Sequence, residues 1–291
     1  MPELPEVETM VRGIRPYAKD HKIVEVTECP NHCQPILMEP PFRNFKKKVV
    51  GKRITNVRRL GKRVVMDLES GSSIVIEPRM TGLVLLAGAP DETHLRIRWD
   101  LDSTGTYSAI WFWDRRGLGT VRLLESKRID ELYGPENLGP DALMMTESLW
   151  QERCARTKRE IKVVLLDQKV VAGIGNLYAS EILHRAAIDP TATADSLKFA
   201  SIARLAEATR SVLLKAIELE GSTLGDGTYR NALSQYGSYQ NEHRVYMREG
   251  QACVICQEGT ITRIVQSQRS TFFCPKCQKS AKKLVDNDSV N

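Results

Sequence analysis

Four of the seven cysteines fall in two short pairs, Cys253-x2-Cys256 and Cys274-x2-Cys277, with 17 residues between the pairs. Each two-residue spacer lets a tight loop offer two thiolates, and two such loops complete a tetrahedron around zinc. Paired disulfides would need an oxidising compartment, and a redox Cys-x-x-Cys would stand alone beside a βαβ unit. The spacing predicts one structural zinc ion with a closed coordination shell. Such an ion folds the tail and does no chemistry itself. Cys29, Cys33 and Cys154 share no such pattern, and His32 beside Cys33 does not create one.

A second set of reactive types lies at the other end. Pro2 follows a methionine that a small second residue normally allows to be removed, which would leave a prolyl secondary amine. An α-amine titrates near 8, so about a tenth is neutral at pH 7, and a helix N-terminus raises that share. A neutral secondary amine can attack an electrophilic sugar carbon and form an iminium, which activates the adjacent C–H for elimination. Glu3 and Glu6 lie three apart, on one face of a first helical turn. The same residues also suit a plain helix start, because proline and acids are both favoured there. The residues alone leave both readings open.

Basic residues form the third set. Arg43 to Arg63 holds ten of them and no acid, and Arg269 to Leu284 is a second acid-free stretch with Arg269, Lys276, Lys279, Lys282 and Lys283. The whole chain of 291 residues has 42 Lys+Arg against 36 Asp+Glu, a net charge of only +6. Two segregated basic runs therefore point to phosphate contact more than the total does, and nucleic acid is the favoured partner. A content of 42% hydrophobic and 27% charged residues describes a folded chain. No uncharged stretch approaches the roughly 20 residues of a membrane helix. The first ten residues carry three glutamates, unlike a secretory signal. The expectation is a cytoplasmic protein without membrane attachment.

The elements that must position these groups change character near residue 130. Apolar runs at 23–26, 64–68, 74–76, 83–86, 95–99 and 107–113, separated by Gly, Asp and Ser, predict antiparallel strands. Leu4, Val7, Met10, Val11 and Ile14 predict a preceding helix that ends near Gly13 or Pro16. Helical spacing dominates later, most clearly from Leu197 to Glu220, and a glycine-rich loop at 221–237 leads to the cysteine tail. The fold class expected is α+β and multidomain. We expect a helix-led β domain over 1–130, a helical domain with the loop over 131–245, and a metal module with a basic tail over 246–291.

Three motifs now coincide in order: the opening Pro2-Glu3-Leu4-Pro5-Glu6-Val7-Glu8-Thr9, the segment Gly173-Ile174-Gly175-Asn176-Leu177-Tyr178-Ala179-Ser180-Glu181, and Gln268-Arg269-Ser270-Thr271-Phe272-Phe273-Cys274-Pro275-Lys276-Cys277. Together they resemble the formamidopyrimidine-DNA glycosylase family over practically the whole chain. The resemblance implies an N-terminal antiparallel β-sandwich, a helix–two-turn–helix domain and a zinc-ribbon hairpin. It implies a bifunctional glycosylase and abasic-site lyase that repairs oxidised purines in double-stranded damaged DNA, acting as a monomer at the bacterial nucleoid. Related readings are an endonuclease VIII-like enzyme for oxidised pyrimidines, a non-catalytic damage binder, and a zinc-ribbon regulator.

By the same resemblance Pro2 is the nucleophile, Glu3 the proton carrier and Glu6 its support, while Lys62 faces the lesion and its phosphate. Asn176 and Lys162 would meet the backbone, although a tight turn with Asn176 as N-cap accounts for the same residues. Arg269 would grip the phosphates beside the everted nucleotide. Met80, Arg116 and Leu118 match the three wedge side chains, with Leu118 in place of the usual phenylalanine, so it can part bases without stacking on them. Glu77 stands where many members carry histidine, and a carboxylate there would repel phosphate. The loop from Gly221 to Tyr229 and on to Tyr246 resembles the lid over an oxidised purine; a plain flexible linker is the alternative.

Overall fold

The computed structural model describes residues 2–29 and 34–279. His32, Cys33, Lys282 and Lys283 of the sequence reading lie outside the described residues. The chain divides into two compact units, Met1–Gly134 with Ala216–Gln240, and Pro135–Lys215 with Asn241–Asn291.

The first unit opens with helix α1 (Leu4–Ala18). Its apolar stripe of Leu4, Val7, Met10, Val11 and Ile14 is wholly buried, as the 3- and 4-residue spacing requires. The helix does not stop at Gly13 or Pro16. It carries Pro16 internally and ends at Ala18, since burial of the stripe outweighs one missing hydrogen bond. At Gly13 a β-carbon would come within 2.4 Å of Ala232 Cβ, so the loop near residue 232 passes too close for any side chain.

Two sheets follow. The strands are β1 (Ile23–Glu28), β2 (Leu37–Glu39), β3 (Ile54–Leu60), β4 (Arg63–Leu68), β5 (Ser72–Glu77), β6 (Leu83–Leu85), β7 (Leu95–Leu101), β8 (Ala109–Trp113) and β9 (Thr120–Glu125), with helix α2 (Phe42–Val49) between β2 and β3. One sheet has the order β1-β7-β8-β6 and the other β2-β9-β5-β4-β3. All pairs are antiparallel except β2 with β9. Val26, Trp99 and Phe112 of the first sheet share a core with Val57, Met66 and Ile76 of the second and with α1. Alternation then dictates a second layer. Val65, Val75 and Leu124 point to the opposite face and pack on Ile129 of α3 (Ser126–Tyr133).

The second unit contains α4 (Glu147–Ala155), α5 (Ile161–Leu166), α6 (Asn176–Arg185), most of α7 (Phe199–Glu218), and a hairpin of β10 (Thr262–Gln266) and β11 (Arg269–Phe273). The sequence expectation placed the loop beyond residue 220 with the helical domain. The structure places it in the first unit, where its backbone is tied. Leu86 N–H donates to Ala232 O at 2.8 Å, and Ser222 N–H donates to the Glu6 carboxylate at 2.9 Å.

Candidate functional site

The N-terminal group is built by the start of α1. Glu3 is the N-cap, and its side chain accepts from the third helical amide while Glu6 Oε2 accepts the Glu3 N–H at 2.9 Å. This reciprocal capping box holds Pro2 and Glu3 at the positive end of the helix dipole. Pro2, Glu3 and Glu6 are all buried. Glu6 does more than support its own turn: its other oxygen takes the Ser222 amide. Gly221 beside it has φ +81°, and a β-carbon there would lie 2.9 Å from Glu6 Oε1. One carboxylate therefore fixes both the N-terminal segment and the root of the glycine-rich loop.

That loop is not a slack linker. Thr223 Oγ donates to Tyr229 O and accepts from Gly237 N–H, each at 2.9 Å, and the Tyr229 hydroxyl donates to Glu220 O at 3.0 Å. Burial first, and the Glu6 charge second, push the Tyr229 hydroxyl well above its usual range, so it remains a donor. Ser222, Gly221 and Tyr229 were not singled out for these duties in the sequence reading. Gly221 and Ser222 meet Glu6, more than 200 positions away, which no local pattern displays.

Lys62 lies half-buried in the turn between β3 and β4. Met80 and Leu118 are 39% and 40% exposed, and Arg116 is exposed as well. A buried acid brings their two loops together. Asp114 accepts from Thr81 Oγ at 2.5 Å, from the Arg116 amide at 3.3 Å and from the Gly119 amide at 2.8 Å. Arg96 donates twice to the Asp114 carbonyl. Asp114→Ala leaves two buried donors, the Thr81 hydroxyl and the Gly119 amide, without their acceptor, while the Arg116 amide keeps Thr81 Oγ at 3.0 Å. It should cost about 3 kcal/mol, read as a lower urea midpoint with an unchanged slope.

The basic run from Arg43 to Arg63 is less available than its composition suggests. Arg58 pairs with Asp67 at 2.8 Å, Arg59 with Glu8 at 2.9 Å and Arg63 with Glu77 at 3.2 Å, while Lys46 pairs with Glu25. An acid-free stretch of sequence is thus supplied with acids from other strands and from α1. At least four of its ten basic side chains are paired within the fold.

In the second unit Gly175 is the N-cap of α6, not Asn176. The Asn176 side chain turns instead to the hairpin, where Nδ2 donates to Ser270 O at 2.9 Å and Oδ1 accepts from Lys162 Nζ at 2.7 Å. Lys162 differs from its expected place as a phosphate-facing cation. It is 0% exposed, and its ammonium also donates to Ser270 O at 3.0 Å and Thr271 Oγ at 2.7 Å. A buried ammonium must spend its protons on fixed acceptors, so Lys162 ties α5, α6 and β11 together. Glu181, also buried, accepts the amides of Arg244, Val245 and Tyr246 at 2.8–3.1 Å. Those contacts anchor the chain as it enters the cysteine segment.

Arg269 is exposed at the start of β11, opposite Gln266. Ser267 and Gln268 between them both have positive φ, 46° and 62°, the backbone of a tight two-residue hairpin turn. Behind the hairpin, Cys253, Cys256, Cys274 and Cys277 place their sulfurs within 4.8 Å of one another. Two of those separations are 3.8 and 3.7 Å, against about 3.8 Å for the edge of a tetrahedron with Zn–S near 2.3 Å. Burial and the other sulfurs push the Cys277 thiol up, while the amides of Gly259 and Glu258 pull Cys256 down to about 6. Sulfurs so close share negative charge only with a cation among them, and the four residues fit zinc with no open position. Cys154 is buried, and that burial raises its thiol to about 11, consistent with an inert role.

The family models match the same regions. A formamidopyrimidine-DNA glycosylase N-terminal domain covers residues 1–121, its H2TH domain 135–227, and a zinc finger found in FPG and IleRS 250–279. A formamidopyrimidine-DNA glycosylase of Chloroflexus aggregans is 40% identical over 283 residues, covering 96% of this chain and 98% of the relative. The chain belongs to the formamidopyrimidine-DNA glycosylase family. Solved structures of the family agree in shape. A Lactococcus lactis FPG mutant in complex with a Fapy-dG containing DNA has a TM-score of 0.84 at 30% identity, covering 96% of this chain and 100% of that one. The MutM (FPG) protein of Thermus thermophilus has 0.82 at 34%, with the same coverage. The chain is therefore a DNA glycosylase and abasic-site lyase of base excision repair, with one structural zinc site. Among the described residues no helix is long and apolar enough to cross a membrane.

Proposed function

We propose that the enzyme excises oxidised purines, 8-oxoguanine and formamidopyrimidines, from duplex DNA with Pro2 as nucleophile. The observation that carries this reading is the capping box at α1, which holds a would-be secondary amine and a buried carboxyl together and ties them through Glu6 to the 221–237 loop. The neutral Pro2 nitrogen attacks C1′ and sheds its N–H proton, which the departing base takes up as it leaves with the glycosidic electron pair. Glu3 delivers the proton that opens the sugar ring. The resulting iminium acidifies the C2′ proton, whose removal expels the 3′ phosphate by β-elimination; δ-elimination then expels the 5′ phosphate. Lys62, half-buried in its turn, offers an ammonium to the lesion and the adjoining phosphate.

Met80, Arg116 and Leu118 fill the gap left by the everted nucleotide. Their exposure and the shared Asp114 anchor support this role. Arg269 and Asn176 contact the backbone from the second unit, and the ordered loop covers the everted base. Borohydride trapping on duplexes with 8-oxoguanine or thymine glycol tests the substrate class. The purine lesion should trap the faster; preferential trapping on thymine glycol would replace this reading with an endonuclease VIII-like one. Met80→Ala should lower cleavage of the 8-oxoguanine duplex more than it lowers binding to an abasic analogue. Equal losses would remove the wedge assignment.

A further inference from the structure

Glu77 occupies a position where a carboxylate looks harmful to DNA binding, yet it is not an isolated charge. It ends β5 directly beyond the Val64–Ile76 pair, so Arg63 of β4 faces it across the ladder. Arg63 Nε meets Glu77 Oε2 at 3.2 Å, and Arg79 Nε meets the other oxygen at 3.1 Å. The Arg63 guanidinium also lies 4.4 Å from the centre of the Tyr133 ring. Two cations thus share one anion, and the cluster keeps a net positive charge.

The two arginines are not equivalent. The side chain of Arg63 is 16% exposed and that of Glu77 13%, whereas that of Arg79 is 54% exposed. Nε is the Arg79 atom nearest Glu77, and the terminal amino groups make no hydrogen bond among the described residues. Its backbone sits at φ 54°, in the left-handed region. Such a conformation costs a non-glycine residue on the order of 1–2 kcal/mol, and strain of this kind is retained where the surroundings hold it for a purpose. Arg79 immediately precedes the exposed Met80, and Arg63 immediately follows Lys62. The cluster therefore lies between two residues assigned to the DNA.

We propose that Glu77 is a positioning residue that holds Arg79 as a phosphate contact beside Met80. The carboxylate draws the guanidinium to its Nε side by charge, an ion pair at 3.1 Å, which leaves the terminal pair to meet an outside oxyanion. Arg63 compensates the charge that Glu77 would otherwise present. The inference rests on the DNA-binding reading of this unit and adds to it a contact and the residue that sets it.

The test has a sign. Removing an anion from a DNA-binding surface should tighten binding if the carboxylate merely repels phosphate. If Glu77 places Arg79, its removal should weaken binding. Full-length, zinc-loaded protein is titrated with a duplex carrying a tetrahydrofuran abasic analogue, at several salt concentrations, so that turnover plays no part. Glu77→Gln should bind about fivefold more weakly, and Arg79→Ala, an exposed position that does not threaten the fold, should lower the salt slope by about one. The double variant should be no weaker than Arg79→Ala. Tighter or unchanged binding by Glu77→Gln overturns the proposal, as does a Glu77→Gln loss that persists in the Arg79→Ala background. Wild-type protein that fails to bind the duplex would remove the DNA-binding reading itself.

Discussion

Protein that retains Met1, or whose N-terminus is acetylated, should give no borohydride-trapped adduct and cleave a lesion duplex at least about 10³-fold more slowly. Its affinity for an abasic analogue should change little. The reason is that an amide nitrogen has no available lone pair, while every other group of the site stays in place. Glu3→Gln separates the chemistry from the structure. Glutamine keeps an oxygen for the capping amide, so the thermal midpoint should hold, but it cannot deliver a proton. The rate should fall by about 10²- to 10⁴-fold. Pro2→Gly retains a primary amine and should trap more weakly without losing the adduct. A protein fully active with Met1 in place would end the Pro2 mechanism.

Removal of zinc should be nearly as severe, through binding. Chelation or Cys274→Ser should release the metal, measured directly as zinc content, and weaken duplex binding by about 10²-fold, the scale expected for losing a bidentate guanidinium–phosphate contact. Arg269 sits in the hairpin that the four cysteines fold, and Ser270 and Thr271 beside it hold Lys162 and Asn176. Loss of the hairpin therefore also releases the acceptors of a buried ammonium. Arg269→Ala should reproduce most of the affinity loss without the zinc loss, and adding Cys274→Ser to it should add little. Unchanged affinity after zinc removal would mean that Arg269 does not grip the backbone.

The agreement between sequence and structure is uneven for physical reasons. The α1 stripe and the strands at 64–68, 74–76 and 95–99 stand out because one face of each is buried and the side-chain period records it. Strand β3 escaped the sequence reading because its buried Ile54 and Val57 are embedded in the basic run. The cysteine spacing needed no fold at all to be interpreted. Lys162 was the opposite case. Nothing local distinguishes a lysine that meets solvent from one whose three acceptors arrive from α6 and a hairpin more than 100 residues on.

What the sequence determined by itself, then, is chemistry that depends on short-range spacing. It contains a tetrathiolate zinc site, a proline with acids at a helix start, and motifs whose order names the family. Tertiary structure decided which charges remain available and which loops are held together. Arg58, Arg59 and Arg63 look alike in a basic run and are each matched to a different acid. Asp114 and Glu6, unremarkable as letters, each tie two distant segments. Burial makes that difference: a charged or polar group withdrawn from water must find its partners inside the fold, and those partners are set by where the chain returns.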